Sequence, residues 1–235
     1  MKQKQFLRRA ATLCATGFGI SVASYAVYAG AIWRHYGRPR RTAEDSDRRL
    51  DVFMSSYEVV DRHKVRINVP AEVALSAAAE MDLQSCALIR GIFKAREWIM
   101  RSTQDARNRP REFLAEMKFL GWGSLAELPG REIVMGAVTK PWEPNPVFRA
   151  LQPDEFAGFN EPGYVKITWT LRADPIGSEE SLFRTETRAA ATDAEARKKF
   201  CRYWSFLSPG IIAIRSVMLR AVKANAEKRY RTLAA

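Results

Sequence analysis

Several short segments of the chain alternate apolar and polar residues, the period that a β-strand with one buried face requires. In the segment 57–69, for example, Val65, Ile67 and Val69 alternate with charged or polar residues. Four later segments also predict strands: 122–128 and 131–142 on either side of a Pro129-Gly130 turn, 164–173, and 182–191. The pattern therefore predicts a sheet of antiparallel strands.

Other segments repeat apolar residues every three or four positions, as amphipathic helices do. Such helices are predicted at 71–81, 84–101 and 111–120. A longer helical pattern begins after Thr192, which forms a capping box with Glu195, and continues to about Tyr230. Because Pro209-Gly210 interrupts the pattern, it predicts a kinked helix or two helices in line.

The amino-terminal region has a different pattern, since no charged residue occurs from Ala10 to Trp33. As a helix this uncharged segment would be about 36 Å long, which exceeds the roughly 30 Å of a hydrocarbon core. Aromatic residues gather toward its carboxyl end, where an interfacial belt would lie. We therefore predict a basic tail at 1–9 and one transmembrane helix at 10–33.

A cleaved signal peptide is the alternative for this segment, because basic residues precede it and Ala29-Gly30-Ala31 resembles a cleavage site. Trp33, followed by a basic stretch, favours a membrane-edge anchor instead. The orientation stays open, since bases lie on both sides of the span. We predict a single-pass protein of a bacterial inner membrane, with the side of the carboxyl-terminal domain undetermined.

The net charge of +12 first suggests nucleic acid or an anionic membrane as a partner. Residues 1–49 contain ten Lys/Arg and three Asp/Glu, so this region carries a surplus of 7. These bases flank the uncharged segment and lack interleaved aromatic residues outside it. Contacts with membrane lipids, through 10–33 and the flanking bases, therefore explain the charge better than nucleic acid does. We interpret 34–52 as a basic linker and 53–235 as the folded domain.

The order of predicted elements is a strand, helices, a run of antiparallel strands and one long helix. This order predicts an α+β helix-grip fold, in which a curved antiparallel sheet surrounds a long carboxyl-terminal helix. Residues 57–230 resemble the START-related superfamily, which includes Bet v 1-like proteins and polyketide cyclases (SRPBCC), and more narrowly its uncharacterised membrane-anchored bacterial members. The resemblance lies in the runs GREIVMGAVTKPW, FAGFNEPGYVKITW, TETR, FCRYW and IIAIRSVMLRAVKANAE.

This resemblance implies a hydrophobic cavity between the sheet and the long helix. It implies no particular activity, because the superfamily includes lipid carriers, hormone receptors, cyclases and oxygenase subunits. No catalytic residue of the family can be placed on this chain.

The residues themselves exclude several chemistries. The chain has only two histidines, His35 and His63, and no cysteine pair with zinc spacing. It also lacks a P-loop and a Gly-x-Gly-x-x-Gly segment. We therefore predict no catalytic residue, no metal site and no cofactor, and we interpret both histidines as surface or structural residues.

Candidate ligand contacts are residues of the predicted strands and long helix that are aromatic, polar or unusually small. They are Gly136, Trp142, Tyr164, Thr185, Glu186, Thr187, Arg188, Tyr203 and Trp204. Within the run RTETR, alternation places Thr185 and Thr187 on one face and the three charged residues on the other. If the charged set faces the cavity, it predicts a head-group site; if not, it predicts a salt-bridged surface.

The leading hypothesis is a membrane-anchored domain that binds a lipid or another hydrophobic small molecule in the cavity between sheet and helix. One alternative is a cyclase-like enzyme using the same cavity, with Glu132, Glu186 or Tyr164 as acid or base. Another is a non-catalytic partner or assembly factor for a membrane protein. The sequence does not identify a protein partner.

Overall fold

The structure, a computed structural model, describes residues 23–38, 47–102 and 109–233. The predicted basic tail and the first part of the predicted membrane span lie outside these residues. From residue 23 to residue 35 the chain is helical, and we call this segment α1. Within the described part of the chain, one helix, Ala194–Leu233, is long and apolar enough to cross a membrane. That is weak evidence, because the core helix of a soluble protein meets the same criterion.

The remaining elements match most of the predicted pattern. The helices are α2 (Arg48–Phe53), α3 (Ala71–Ala79), α4 (Ala87–Met100), α5 (Phe113–Phe119), α6 (Pro153–Gly158) and α7 (Ala194–Leu233), with a 3-10 turn at Leu83–Ser85. The strands are β1 (Val59–Ile67), β2 (Gly123–Leu128), β3 (Glu132–Thr139), β4 (Val165–Pro175) and β5 (Ser181–Ala191).

The five strands form one antiparallel sheet in the order β1-β5-β4-β3-β2. The first strand therefore pairs with the last, and among the described residues no strand lies beside the other edge of β1. The predicted hairpin is confirmed, with Gly130 in its turn at a φ of 68°, a conformation that favours glycine. A five-stranded antiparallel sheet with a long carboxyl-terminal helix is an α+β architecture, and it is consistent with a helix grip.

The long helix differs from the prediction at two points. Its amino-terminal cap is Asp193, not Thr192, because Asp193 Oδ1 accepts hydrogen bonds from the backbone N–H groups of Glu195 (2.7 Å) and Ala196 (2.8 Å). The helix also runs without a break through Pro209 over 40 residues. Packing of both halves on the domain compensates for the backbone hydrogen bond that proline removes.

The two faces of the sheet are covered by different helices. We call the face under α3 and α7 the grip face; its core includes Phe183 and Leu171 of the sheet and Val222 of α7. We call the opposite side the outer face. There Val134 and Val138 pack in a second apolar cluster with residues of α2 and α6.

The helix α2 corrects the predicted linker in its last residues. Residues 48–53 fold onto the outer face, where Leu50 is fully buried. Asp47 caps this helix, since its Oδ1 accepts hydrogen bonds from the N–H groups of Arg49 (2.9 Å) and Leu50 (3.4 Å). A helix of six residues with one buried leucine is too short to show a helical period of apolar residues. The sequence pattern therefore did not predict it.

Gly136 lies on the outer face of β3, where α6 packs closely against the sheet. A Cβ atom at this position would lie 2.5 Å from Leu125 Cδ1 and 3.0 Å from Phe156 Cε2. The space that the missing side chain leaves is therefore filled by these two residues.

We predict that Gly136→Ala lowers the free energy of unfolding by about 1–3 kcal/mol, because the added methyl group overpacks the α6 contact. Gly91→Ala is the matched control: nothing lies within 4 Å of a Cβ at this exposed position of α4. There the same change should raise stability by up to about 1 kcal/mol through helix propensity. Denaturant unfolding followed by tryptophan fluorescence measures both, and a neutral Gly136→Ala would contradict the packing.

Candidate functional site

The charged residues of β5 face away from the long helix. Phe183 and Thr185 lie on the grip face, so alternation places Arg184, Glu186 and Arg188 on the outer face. On this face, α2 and the chain after it cover Arg188 completely. The charged set of RTETR therefore does not face α7: Glu186 and Arg188 belong to a buried ionic network, and Arg184 is 31% exposed.

Arg188 is the centre of this network. Its Nε donates to Glu186 Oε1 (2.7 Å), and its Nη1 donates to Asp51 Oδ1 (2.6 Å) and to the carbonyl oxygen of Met54 (2.8 Å). Nη2 donates to the carbonyl oxygen of Asp47 at 3.3 Å. Two carboxylates and two carbonyl groups therefore compensate the charge that folding removes from water.

Glu186 also binds a second guanidinium group. Arg62 of β1 lies 3.0 Å from Glu186 Oε2 through Nε and donates to Oε1 from Nη2 at 3.1 Å. Both oxygens of Glu186 are therefore engaged by arginine. Such an arrangement is a charge-assisted ion pair in which both carboxylate oxygens have partners.

The network continues toward β4 and β3. Arg172 and Arg184 both bind Asp174, with Arg172 Nε at 2.8 Å and Arg184 Nε at 2.6 Å from its oxygens. Arg172 Nη1 also lies 3.5 Å from Asp47 Oδ2. A cavity of about 130 Å³ lies between these groups. It is lined by Asp47, Arg62, His63, Lys64, Thr170, Arg172, Arg184, Thr185 and Glu186.

Glu132 of β3, beside the network, has a strongly raised pKa. Burial, and next the negative charge of Asp47, raise the pKa of Glu132 to about 7. The positive charges of Arg172 and Arg49 oppose this shift, and Arg49 Nε lies 3.0 Å from Glu132 Oε2. Glu132 therefore holds a proton through mildly acidic pH, beside the residue that caps α2.

The grip face contains a second polar group of residues, which we call the grip-face polar cluster: Asp61 and His63 of β1, Thr185 and Thr187 of β5, and Arg215 of α7. His63 Nε2 lies 2.9 Å from Asp61 Oδ1, and Arg215 Nε lies 3.1 Å from Asp61 Oδ2. Arg215 Nη1 donates to Thr185 Oγ1 at 3.4 Å. Within the described residues, Thr187 Oγ1 is buried without a hydrogen-bond partner.

Sequence reasoning missed this cluster, although two signals pointed to it. Arg215 is the only charged residue in the apolar run IIAIRSVML of α7. Asp61 and His63 are two positions apart, so they share a face of a strand. In the sheet they lie opposite Thr187 and Thr185. A lone charge in an apolar helical stripe requires a partner on the surface that the stripe covers.

A larger cavity, of about 400 Å³, lies at the free edge of β1, and we call it the edge cavity. It is bounded by the end of α1, the edge strand and Trp204 of α7. Most of its exposed lining is apolar. The lining residues are Ile32, His35, Tyr36, Arg38, Glu58, Val59, Val60, Arg62 and Trp204.

The aromatic candidates of α7 and its neighbouring loop are brought together by the fold. Phe200, near the amino-terminal end of α7, is surrounded by Trp142, Tyr203 and Trp204. Trp204 alone of these candidates lines the edge cavity. Their contact with a ligand stays a prediction.

Tyr164 lies apart from this aromatic group. Its ring packs edge-on against Phe159, and the cationic groups of Lys140 and Arg149 lie 4.7 and 5.0 Å from the ring centre. These contacts stabilise the turn before β4. Gly136 and Tyr164 are therefore both explained by packing on the outer side of the sheet.

Fold and site together define an α+β protein, consistent with a helix grip, with an ionic network on one face of its sheet and a polar cluster under the long helix. No protein-family model matches the chain, and no curated protein matches it either. Several solved structures show distant likeness. A hypothetical protein from Helicobacter pylori has 5% sequence identity and a TM-score of 0.38, with 80% of this chain and 99% of that chain covered.

The second is the di-domain ARO/CYC protein BexL from the BE-7585A biosynthetic pathway, with 14% identity, a TM-score of 0.27, and 72% of this chain and 46% of that chain covered. The third is the Zhui aromatase/cyclase from Streptomyces sp. R1128, with 14% identity, a TM-score of 0.23, and 73% of this chain and 95% of that chain covered. At such low TM-scores these likenesses carry no argument about function. Function must be inferred from the residues of this chain.

Replacing the central arginine tests the buried network. We predict that Arg188→Met lowers the free energy of unfolding by about 3–5 kcal/mol, because Asp51 and Glu186 lose a buried partner. The matched control is Arg229→Met, which breaks an ion pair with Glu80 whose two side chains are 44% and 49% exposed. That change should cost less than about 1 kcal/mol. Equal losses for the two variants in denaturant unfolding would contradict the network's central role.

Glu132 predicts a pH dependence of stability. Its pKa is raised from 4.5 to about 7 in the folded chain. The folded state therefore binds more protons than the unfolded state between these values, and stability falls as pH rises from about 4.5 to about 7. We expect Glu132→Gln to remove this fall, which amounts to roughly 1–3 kcal/mol between pH 5 and pH 8. Denaturant unfolding of the wild-type protein and of Glu132→Gln between pH 5 and pH 8 measures this difference. The prediction would be contradicted if the free energies of unfolding of the two proteins changed with pH in parallel.

Proposed function

We propose that the protein is a single-pass membrane protein whose helix-grip domain binds a lipid or another hydrophobic small molecule. The observation that carries the proposal is the edge cavity at the open side of β1. Its volume of about 400 Å³ lies within the usual range of roughly 300–1,000 Å³ for small-molecule sites. Its lining combines a mostly apolar surface with a few polar groups, as such sites do.

The position of the cavity supports a membrane-derived ligand. Ile32 lines it and is one residue from the end of the predicted span, so the cavity opens where that span would leave the bilayer. The side chains of Tyr36 and Arg38 extend the lining beyond the predicted membrane edge. An apolar molecule could then pass between leaflet and cavity without crossing bulk water, whose contact with apolar surface is unfavourable.

Tyr36 and Glu58, two polar residues that line the edge cavity, are held in place by hydrogen bonds and an ion pair. Tyr36 donates its hydroxyl proton to Glu58 Oε2 at 2.8 Å, and Arg197 Nε lies 3.3 Å from Glu58 Oε1. Glu58 Oε2 also accepts the N–H of Ala191 at 3.0 Å. These contacts leave Ile32 and Trp204 as the apolar walls for a ligand chain. We infer an amphiphile whose polar end lies toward Tyr36 and Glu58.

The enzymatic alternative finds less support in the geometry. Glu132 and Glu186, two of its three candidate acids and bases, lie on the outer face, across the sheet from α7. Asp61 and His63 of the grip-face polar cluster are the titratable pair under the helix, yet Arg215 engages Asp61. Ligand binding therefore explains the arrangement with fewer assumptions than catalysis.

Filling the cavity tests the proposal. We expect the full chain, purified gently in mild detergent, to carry about one apolar molecule per protein in native mass spectrometry and lipid extraction. Ile32→Trp should lower this occupancy roughly tenfold, equivalent to about 1.4 kcal/mol, because the indole occupies the cavity. The matched control, Val27→Trp, adds an indole at a 73% exposed position of the same helix and should retain the ligand.

Two results would overturn the proposal. One is a folded wild-type protein that carries no apolar molecule under these conditions. The other is equal occupancy in Ile32→Trp and Val27→Trp, which would place the bound molecule outside the edge cavity. Circular dichroism of each variant verifies folding, so that loss of ligand is separated from loss of structure.

A further inference from the structure

Exposed apolar side chains are concentrated on one side of the molecule. Eight of the fourteen large apolar residues that are exposed in the described part of the chain lie on α1, α4 and the middle of α7. They are Tyr25, Val27 and Trp33 of α1, Leu88, Phe93, Trp98 and Ile99 of α4, and Phe206 of α7. Scattered exposed apolar residues are normal in soluble proteins, but such a concentration marks an interaction surface.

These three helices pack as one layer. The Tyr28 hydroxyl of α1 lies 3.2 Å from Ser208 Oγ of α7, and Tyr25 donates its hydroxyl proton to the carbonyl oxygen of Phe206. On the other flank, a Cβ added at Gly210 would lie 3.1 Å from Ile92 Cγ2 of α4. Both α1 and α4 therefore contact the same two turns of α7. α7 therefore joins α4 to the helix that ends the predicted membrane span.

The exposed half of α4 consists of an apolar strip and a basic strip that run side by side along the helix. At 100° per residue, Leu88, Trp98 and Ile99 fall on one strip together with the small residues Gly91 and Ala95. Their exposures are 55% for Leu88, 84% for Trp98 and 58% for Ile99. The neighbouring strip carries the bases Arg90, Lys94 and Arg101, with Glu97. Ile89 points inward and is buried.

The sheet covers only part of the apolar surface of α7. Its most apolar window of 18 residues is 28% buried within the molecule. A helix whose only partner is the sheet needs one apolar stripe, and the rest of its surface would be polar. Residues on the other sides of α7 are covered in part by α1 and α4, which in turn present apolar side chains outward.

We propose that the outer face of α4, together with Trp33 at the end of α1 and the adjoining middle of α7, lies in the interfacial layer of an anionic bilayer. Apolar and basic strips side by side, with an exposed tryptophan, are the pattern of helices that lie in the membrane plane. Bases beside the apolar strip match anionic head groups, and tryptophan favours the interface. This proposal requires the bilayer but not a bound ligand in the edge cavity.

Spin labelling of the full chain in vesicles tests it. In a background with Cys14, Cys86 and Cys201 replaced by alanine, Ile99→Cys and Val52→Cys each receive a nitroxide label. Val52 is 71% exposed and lies on α2, which covers the outer face of the sheet. In vesicles of phosphatidylcholine and phosphatidylglycerol, the label at 99 should lose relaxation by a water-soluble nickel chelate and retain relaxation by oxygen. The label at 52 should respond to nickel.

Three results would overturn the proposal. Nickel accessibility at 99 equal to that at 52 would place α4 in water. Shielding at 99 from both nickel and oxygen would indicate a protein partner or a second copy on this face. The combined change of Arg90, Lys94 and Arg101 to glutamine should restore nickel accessibility at 99; if it leaves the label unchanged, anionic lipid is not the partner. Ile32→Trp should leave all these readouts unchanged, which separates this surface from the ligand site.

Discussion

The structure depends on the burial of one guanidinium group, that of Arg188. A buried charge without partners is far more costly than a buried apolar group, so the fold must surround Arg188 with acceptors. Asp51 and the carbonyl oxygens of Asp47 and Met54, all from one short segment, provide most of them. The segment around α2 is thereby held on the outer face of the sheet. Glu186 completes the group from the neighbouring position on the same face.

Because of this network, the two faces of the sheet differ in their polar contacts. On the outer face, arginines and carboxylates are paired with each other, and α2 and the chain after it cover Arg188. The grip face retains apolar clusters, one polar cluster around Asp61, and an open edge beside β1. The ligand site that we propose therefore belongs to the grip side and its edge, where Trp204 and Ile32 line the same cavity.

Periodicity in the sequence was sufficient for elements that contact their neighbours regularly. The strands β3, β4 and β5 and the helix α3 follow from local patterns, because the period states which residues share a face. The period of apolar residues does not indicate which other element covers that face. For this reason the separation of Thr185 and Thr187 from Glu186 was predictable, whereas the cover provided by α2 was not. The cluster of Asp61 with Arg215 joins residues 154 positions apart, a pairing that no local pattern contains.

The pair of Asp61 and Arg215 also determines what α7 presents to the outside. The middle of α7 is apolar on several sides, so apolar packing alone would allow the helix to rotate about its axis. The ion pair at 3.1 Å fixes which side faces β1. Phe206 and the flanks that receive α1 and α4 are then directed away from the sheet. One buried ion pair thus orients the apolar surface that we propose for the bilayer, and this orienting role is the form in which buried charges contribute specificity rather than stability.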